Sequence, residues 1–497
     1  MKKFMLLLLT AGLLGGVAGC EKDLDQTPLS NGSVPGFYKT AADFDQALSA
    51  VYSQLRGYPN RILITSEVRS DNIYGASQQG VRDWDPINNF ATTLAISPYV
   101  SDTWTSDYAA IYRANTFLDQ LAQNGAAAGA LRPRYEAEAR FLRAFHYLDL
   151  VRTFGKVPLI DKPLLPAQVS TVPRSPVSAV YDLIIADLTV AKASLPNAYT
   201  GVNVGRATAG AAKGLLALVY LTRSGPTYGI EGPGLNSNEY SKALALLNEV
   251  IASGTYSFLP TYPAIFSFTN ENNAEVVFDI QYLVGLGSSF PGVLVPDAYF
   301  TSLGIPFISG GIEIKPVSKD LLKSYAANDA RKAFSIQTGY TNAGLTETNS
   351  LVKKYISAAG RGTAYTDWPI NFIVMRYTDI LLMKAEAILQ GGGGTPAEAL
   401  AIVNQVRARA TQPALTSLTY PQLMEERRRE FVGEGLRWPD LVRSGLALSV
   451  MNAWIPVEDA GPTPRIRRNL GPNDLLYPVP QAELSATPGL YNQNPGY

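Results

Sequence analysis

The stretch "EERRREFVGEGLRWPDLVRSG", residues 425–445, threads Phe431, Trp438 and Leu441 through a run of arginines and carboxylates. A solvated helical face would carry charges of both signs. It would not place large apolar side chains among them. The pattern instead predicts buried arginine–carboxylate pairs that lock a helix to the loop after it, because the planar guanidinium can satisfy a carboxylate through two parallel hydrogen bonds. The role read here is structural and needs no contact with a ligand.

Working outward, the flanking segments read as helices in pairs. Residues 376–390 and 396–410 are joined by Gly391–Gly394, and Thr395-Pro396-Ala397-Glu398 has the form of a capping box. The glycine run is a turn; it lacks the Gly-Lys-Ser/Thr ending and the preceding strand of a phosphate loop. Upstream, Phe44, Ala47, Leu48, Val51 and Leu55 recur at helical spacing, and another helix fits 105–122, with Trp104 read as core. Ala137, Phe141, Ala144, Leu148 and Val151 form an apolar stripe, with Glu136 one turn before Arg140, and Gly155 and Pro158 stop that helix. Ser175 and Pro176 open the next, through Val180, Ile184 and Leu188. In the helix at 208–223, Ala209, Gly210, Ala212 and Gly214 allow a close neighbour, which 239–252 would supply. The pairs suggest tetratricopeptide-like units, although their intervals are too irregular for a strict 34-residue repeat. The expected fold is mainly α, with the helical scaffold at 37–57, 105–255 and 376–450. Two regions, 58–104 and 256–375, lack sustained helical periodicity and read as loop-rich and partly β, the place where function tends to sit.

Composition narrows the function classes. The chain has 497 residues, 46% hydrophobic and 17% charged, which is globular rather than disordered. Lys plus Arg and Asp plus Glu both total 42, so no net field favours nucleic acid. Residues 1–19 have the form of a secretory signal peptide, with Lys2 and Lys3 before an apolar run that is too short to span a bilayer. The single cysteine, Cys20, closes Val17-Ala18-Gly19-Cys20, which resembles a bacterial lipobox. Acylation there would hold a soluble body at an outer membrane through several buried acyl chains, with 20–36 as a flexible lipidated tether and 37–497 as the body.

Catalytic motifs are scarce. The only histidine, His146, sits in the apolar-striped helix and has no histidine or cysteine partners for a transition-metal site. No Gly-x-Ser-x-Gly elbow accompanies it. No cofactor is expected; oxygen-only calcium coordination by loop acids stays open, as does a pair of carboxylates for glycoside hydrolysis, which leaves no spacing to read.

These residues resemble the SusD/RagB family of surface nutrient-binding lipoproteins. The resemblance is carried by the lipobox at 17–20, "AEARFLRAFHYLDLVRTFGKVPL" at 137–159, "RYTDILLMKAEAIL" at 376–389, "ERRREFVGEGLRWPDLVRSG" at 426–445 and the terminal "LLYPVPQAEL…PGLYNQNPGY" at 475–497, in family order. The acidic stretch after Cys20 resembles a surface-export signal of Bacteroidota lipoproteins. The resemblance implies four tetratricopeptide-like helix pairs with an irregular ligand-facing region. It also implies a seat on a SusC-type TonB-dependent outer-membrane transporter, and binding of oligosaccharide or polysaccharide without cutting it. A RagB-like branch taking peptides is the alternative, with a glycoside hydrolase third.

Sugar rings stack apolar C–H faces on aromatics and bond their hydroxyls to charged or amide groups. Loop aromatics beside such groups are therefore the candidates: Asp71, Asn72, Tyr74, Arg82 and Trp84 in "SDNIYGASQQGVRDWD", Tyr365 and Trp368 in "TAYTDWPIN", and Tyr282. For the anchor the expectation is direct. Cells fed labelled palmitate should label the protein, and Cys20→Ala should abolish the label; label retained in that variant would disprove lipidation at Cys20.

Overall fold

The computed structural model describes residues 37–75, 82–305, 315–360 and 367–497. Eight long helices follow one another: α1 (Ala41–Tyr52), α2 (Pro98–Asn124), α3 (Arg132–Phe154), α4 (Val177–Ser194), α5 (Ala209–Ser224), α6 (Tyr240–Ala252), α7 (Tyr377–Leu389) and α8 (Pro396–Arg409). Each packs on the next in sequence, the arrangement of stacked helix pairs. Three further helices, α9 (Tyr420–Phe431), α10 (Arg437–Arg443) and α11 (Ala447–Glu458), follow.

Local chemistry sets the ends. Thr40 caps α1 by accepting the Asp43 N–H, while Asp43 accepts the Thr40 N–H at 2.8 Å, and the predicted stripe Phe44, Leu48 and Val51 is buried. Helix α2 begins at Pro98, earlier than its periodicity suggests, because proline's fixed φ suits the first turn. Helix α3 ends on Gly155 at φ +70°, where a Cβ would lie 2.1 Å from the Glu231 carbonyl oxygen. At Gly214 of α5 the close approach is to Met375 and Ile380 rather than to α6, since a Cβ there would meet the Met375 sulfur at 2.5 Å.

Strands are few. Val157–Pro158 (β1) pairs with Arg174–Ser175 (β2), Val276–Ile280 (β3) with Phe372–Arg376 (β6), and Ile336–Asn342 (β4) with Leu345–Val352 (β5), all antiparallel. The last four lie in the insertion between α6 and α7, where loops and strands were expected. The other expected loop region differs. Residues 58–62 form a short α-helical turn that runs into a π-helical turn at 63–68, and nearly all of 58–73 is buried, so this stretch is interior framework rather than a ligand-facing surface.

The charged motif behaves as its apolar residues demand. Positive φ at Gly433 and Gly435, +76° each, turns the chain so that Glu434 points inward. Its carboxylate accepts Arg376 Nε at 2.9 Å and Lys354 Nζ at 2.7 Å. One turn earlier, Glu430 accepts Arg376 Nη1 at 2.8 Å, Arg409 Nη2 at 2.7 Å and Arg331 Nη1 at 3.1 Å. Arg409 and Arg376 also reach Glu275 at the head of β3, at 2.7 and 3.2 Å. Arg427 bridges Asp379 of α7 and Asp440 of α10, and Arg443 reaches Glu386 of α7 at 2.7 Å. All of these side chains are essentially shut off from solvent.

The C-terminal segment is tied in the same way. Tyr477 donates its N–H to Thr153 and its hydroxyl to Thr65, both at 2.8 Å, and Asn494 donates to the Phe154 and Tyr477 carbonyls. Arg69, fully buried, stacks on Phe90 at 3.9 Å and Tyr477 at 4.8 Å while donating to the Asp474 carbonyl.

Burial alone would raise the Glu430 carboxyl, but Arg409, Arg376 and Arg331 hold it well below the ordinary glutamate value of 4.5. Its contribution to stability is therefore present above that value and lost as pH falls through the lower folded one. Glu430→Ala, which strands three buried guanidiniums, should cost about 3–5 kcal/mol in urea denaturation at neutral pH. It should also flatten the acid limb of the stability curve; a loss below about 1 kcal/mol would contradict the network's role.

Candidate ligand-binding site

Two aromatic stations emerge from the insertion and from the segment before α2. The first rests on a rail: Ile73 bridges Val317, Tyr74 donates its N–H to the Pro316 carbonyl at 2.8 Å, and Ser318 donates to the Asn72 carbonyl at 2.9 Å. Beside this rail the Trp84 ring lies so close to Gly75 that a Cβ there would come within 2.7 Å of it, and the Lys315 ammonium stands 5.1 Å from its centroid. The second station is built on a bridge between Ser288 and Trp368, whose N–H groups and carbonyls pair at 3.2 and 3.3 Å. Asp367 Oδ1 secures it by accepting the N–H of Gly285 at 2.8 Å and Gly287 at 3.1 Å. There the Trp368 ring packs on Phe300 at 5.6 Å, and Tyr299 packs on Tyr340 of the β4–β5 hairpin at 5.4 Å. Leu283, Val284 and Leu286 stand exposed in the turn that leads to Ser288.

Several expected contacts are corrected by burial. Asp71 lies in the interior, where Arg437 grips both its oxygens at 2.8 Å and Arg428 approaches to 3.1 Å. Burial would raise its carboxyl, and the two arginines hold it below the usual value. Asn72 is likewise framework, donating to Glu67 at 2.8 Å and accepting Arg428 Nε at 3.0 Å. Tyr282 is 2% exposed and gives its hydroxyl to the Arg56 carbonyl at 2.6 Å. Trp84 and Trp368 keep only 5% and 3% of their surface, so neither presents an open stacking face as the chain stands. Half-buried Tyr74 donates to Asp459 at 2.8 Å; burial and that carboxylate raise its phenol. Arg82 is partly exposed, with its backbone N–H on Asp85. Tyr365 and Cys20 lie outside the described residues. The sequence reading missed Lys315, Phe300, Tyr299 and Tyr340; the neighbouring pair Tyr299-Phe300 was the available signal.

The only histidine belongs to a buried polar cluster. His146 Nδ1 sits 2.9 Å from Asp107 Oδ1, and Arg61 reaches the same oxygen at 3.3 Å, but all three side chains are buried. Burial lowers His146 to about 3 and raises Asp107 to about 7; it also raises Asp149 to about 7, with the Asp107 charge adding to the effect. The imidazole is thus neutral, and burial holds both acids largely protonated up to about neutral pH. Among the described residues no group of three or more His, Cys, Asp or Glu side chains is placed to hold a metal, and no helix is long and apolar enough to cross a membrane.

The sign for the Asp107–Asp149 pair is opposite to that of Glu430. Its contribution is fully present below the unfolded aspartate value and lost as pH rises through about 7. Asp149→Asn, which has no proton to lose, should therefore gain in melting temperature relative to the parent between pH 5 and pH 8. A constant difference across that range would refute the raised Asp149 carboxyl.

Comparison with known proteins places this architecture. The SusD family model matches residues 318–497, and a model described as starch-binding, associating with the outer membrane, matches 24–221. A SusD-like protein of Formosa agariphila is 28% identical over 91% of this chain and 94% of its own. Among solved structures, surface glycan-binding protein A from Bacteroides uniformis superposes with a TM-score of 0.78 at 26% identity, over 92% of this chain and all but 1% of its own. A laminarin-binding SusD-like protein does so with a TM-score of 0.75 at 27% identity, covering 93% of this chain and 100% of its own. With both family models matched in order and relatives aligned along nearly the whole length, the chain belongs to the SusD/RagB family.

Proposed function

We propose that this protein is a surface glycan-binding lipoprotein. It captures an oligosaccharide or polysaccharide outside the cell and passes it, uncut, to a SusC-type TonB-dependent transporter in the outer membrane. The observation that carries the reading is the likeness to the laminarin-binding SusD-like protein, which covers 93% of this chain. The chemistry is consistent with it. Trp84 beside Lys315, and Trp368 beside Phe300, are aromatic rings next to charged or apolar neighbours, the pairing that sugar faces and hydroxyls require. The transporter as partner and the acylated Cys20 as anchor follow from family membership and from the lipobox-like sequence.

The working probe is laminarin. In affinity electrophoresis the protein should be retarded by laminarin in the gel, and Trp84→Ala and Trp368→Ala should each weaken retention about three- to tenfold, the range for a lost aromatic stack. Because both rings are buried, melting curves and the milder Trp84→Phe and Trp368→Phe variants separate lost contact from lost fold. Unchanged retention in both alanine variants would defeat the site. Retention by a peptide mixture but by no glycan would move the protein to the peptide-binding branch.

A further inference from the structure

Helix α2 carries Trp104, Tyr108 and Tyr112 at successive turns of one face. Together with Tyr491 of the C-terminal segment they wall a cleft of about 370 Å³, none of whose lining residues belongs to either aromatic station. That size is within the range of small-molecule sites, about 300–1,000 Å³. The rings are tilted rather than stacked flat: Trp104 lies 5.2 Å from Tyr108 at 48° and 6.4 Å from Tyr491 at 58°. Tyr108 is fixed by its hydroxyl bond to the Pro158 carbonyl at 2.7 Å, and Tyr112 is 55% exposed at the mouth.

A single carboxylate, Glu483 of the short helix Gln481–Ala486, completes the wall. It is half-buried and lines the cleft with Trp104; burial pushes its carboxyl up and the nearby indole N–H pulls it back. Glu483 has no ion-pair partner among the described residues, in contrast to Glu275, Glu426, Glu430 and Glu434, each of which meets a basic side chain within 3.2 Å. Arg174, whose charge is felt by Tyr108 and Tyr491, is committed elsewhere, to the Lys156 and Asn492 carbonyls and to Asn494. The cleft is otherwise mostly apolar, and Thr105 already donates to the Ser101 carbonyl. A neutral, hydroxyl-rich ring would find few partners here. A weakly hydrated cation would find both the negative faces of several aromatic rings and a counter-charge.

We propose that this cleft binds an organic ammonium group, held against Tyr108, Tyr112 and Tyr491 and neutralising Glu483. The ammonium could arrive on an alkyl amine or on an unacetylated amino sugar, and the proposal does not depend on the glycan reading above.

Titration of the ¹⁵N-labelled protein, following the Trp104 indole N–H, tests it with three probes: choline, glucosamine and N-acetylglucosamine. The indole resonance is assigned from the spectrum of Trp104→Phe. Choline or glucosamine should shift that resonance saturably, while N-acetylglucosamine should leave it in place. The tighter of the two amines identifies the source. Glu483→Gln and Tyr112→Ala should each weaken amine binding roughly tenfold with unchanged melting curves, since neither side chain is fully buried. Equal shifts with N-acetylglucosamine, silence with both amines, or full affinity in Glu483→Gln would each overturn the assignment.

Discussion

One buried carboxylate, that of Glu430, is shared by Arg331, Arg376 and Arg409, three arginines drawn from the insertion, the head of α7 and the end of α8. Desolvating that many charges is costly, and in water-filled surroundings the pairs would be worth little. Within this interior the arrangement is self-consistent, because each arginine also reaches a second acid and each acid a second base. Removing one member leaves the others unpaired. The network thereby ties the insertion, α7, α8 and α9 to one another through charges that each depend on partners in the others.

That constraint reaches the ligand-facing region through short covalent paths. Arg376 is the last residue of β6, whose partner β3 leads by way of Tyr282 to the exposed turn at Leu283–Leu286 and then to the Ser288–Trp368 bridge. Arg428 and Arg437 hold Asp71, immediately before the Asn72–Tyr74 rail on which the Trp84 station rests. Side chains chosen from the sequence as ligand contacts thus include the supports of the site. Asp71, Asn72 and Tyr282 are bound to Arg437, Glu67 and the Arg56 carbonyl, in the segments that lead to the proposed Trp84 and Trp368 stations.

The helical scaffold was legible because its signals are local: apolar residues at three- and four-residue spacing and a stopping Gly155; the start of α2 at Pro98 was not, since its first turn lacks that spacing. The structural role of 425–445 was also legible, since Phe431 and Trp438 among charges have no place on a wet helix. The site was less so. Whether Asp71 faces solvent depends on Arg428 and Arg437, more than 350 positions away in the chain, and no local pattern reports that. Trp84 and Trp368 read as candidate ligand contacts, and their burial was not legible because neighbours such as Lys315 and Phe300 lie far from them in the chain. The interior of 58–73 was missed for a similar reason: a five-residue α-helical turn followed by a π-helical turn is too short and too irregular to show a 3.6-residue period.

The central claim is that this molecule holds a glycan without breaking it. Calorimetry of the purified protein with laminarin, followed by chromatography of the recovered polysaccharide after prolonged incubation, addresses both halves at once. The account predicts saturable heat of binding and a chain-length profile identical to that of the untreated polymer. Shortened chains, or release of new reducing ends that scales with protein and time, would contradict it.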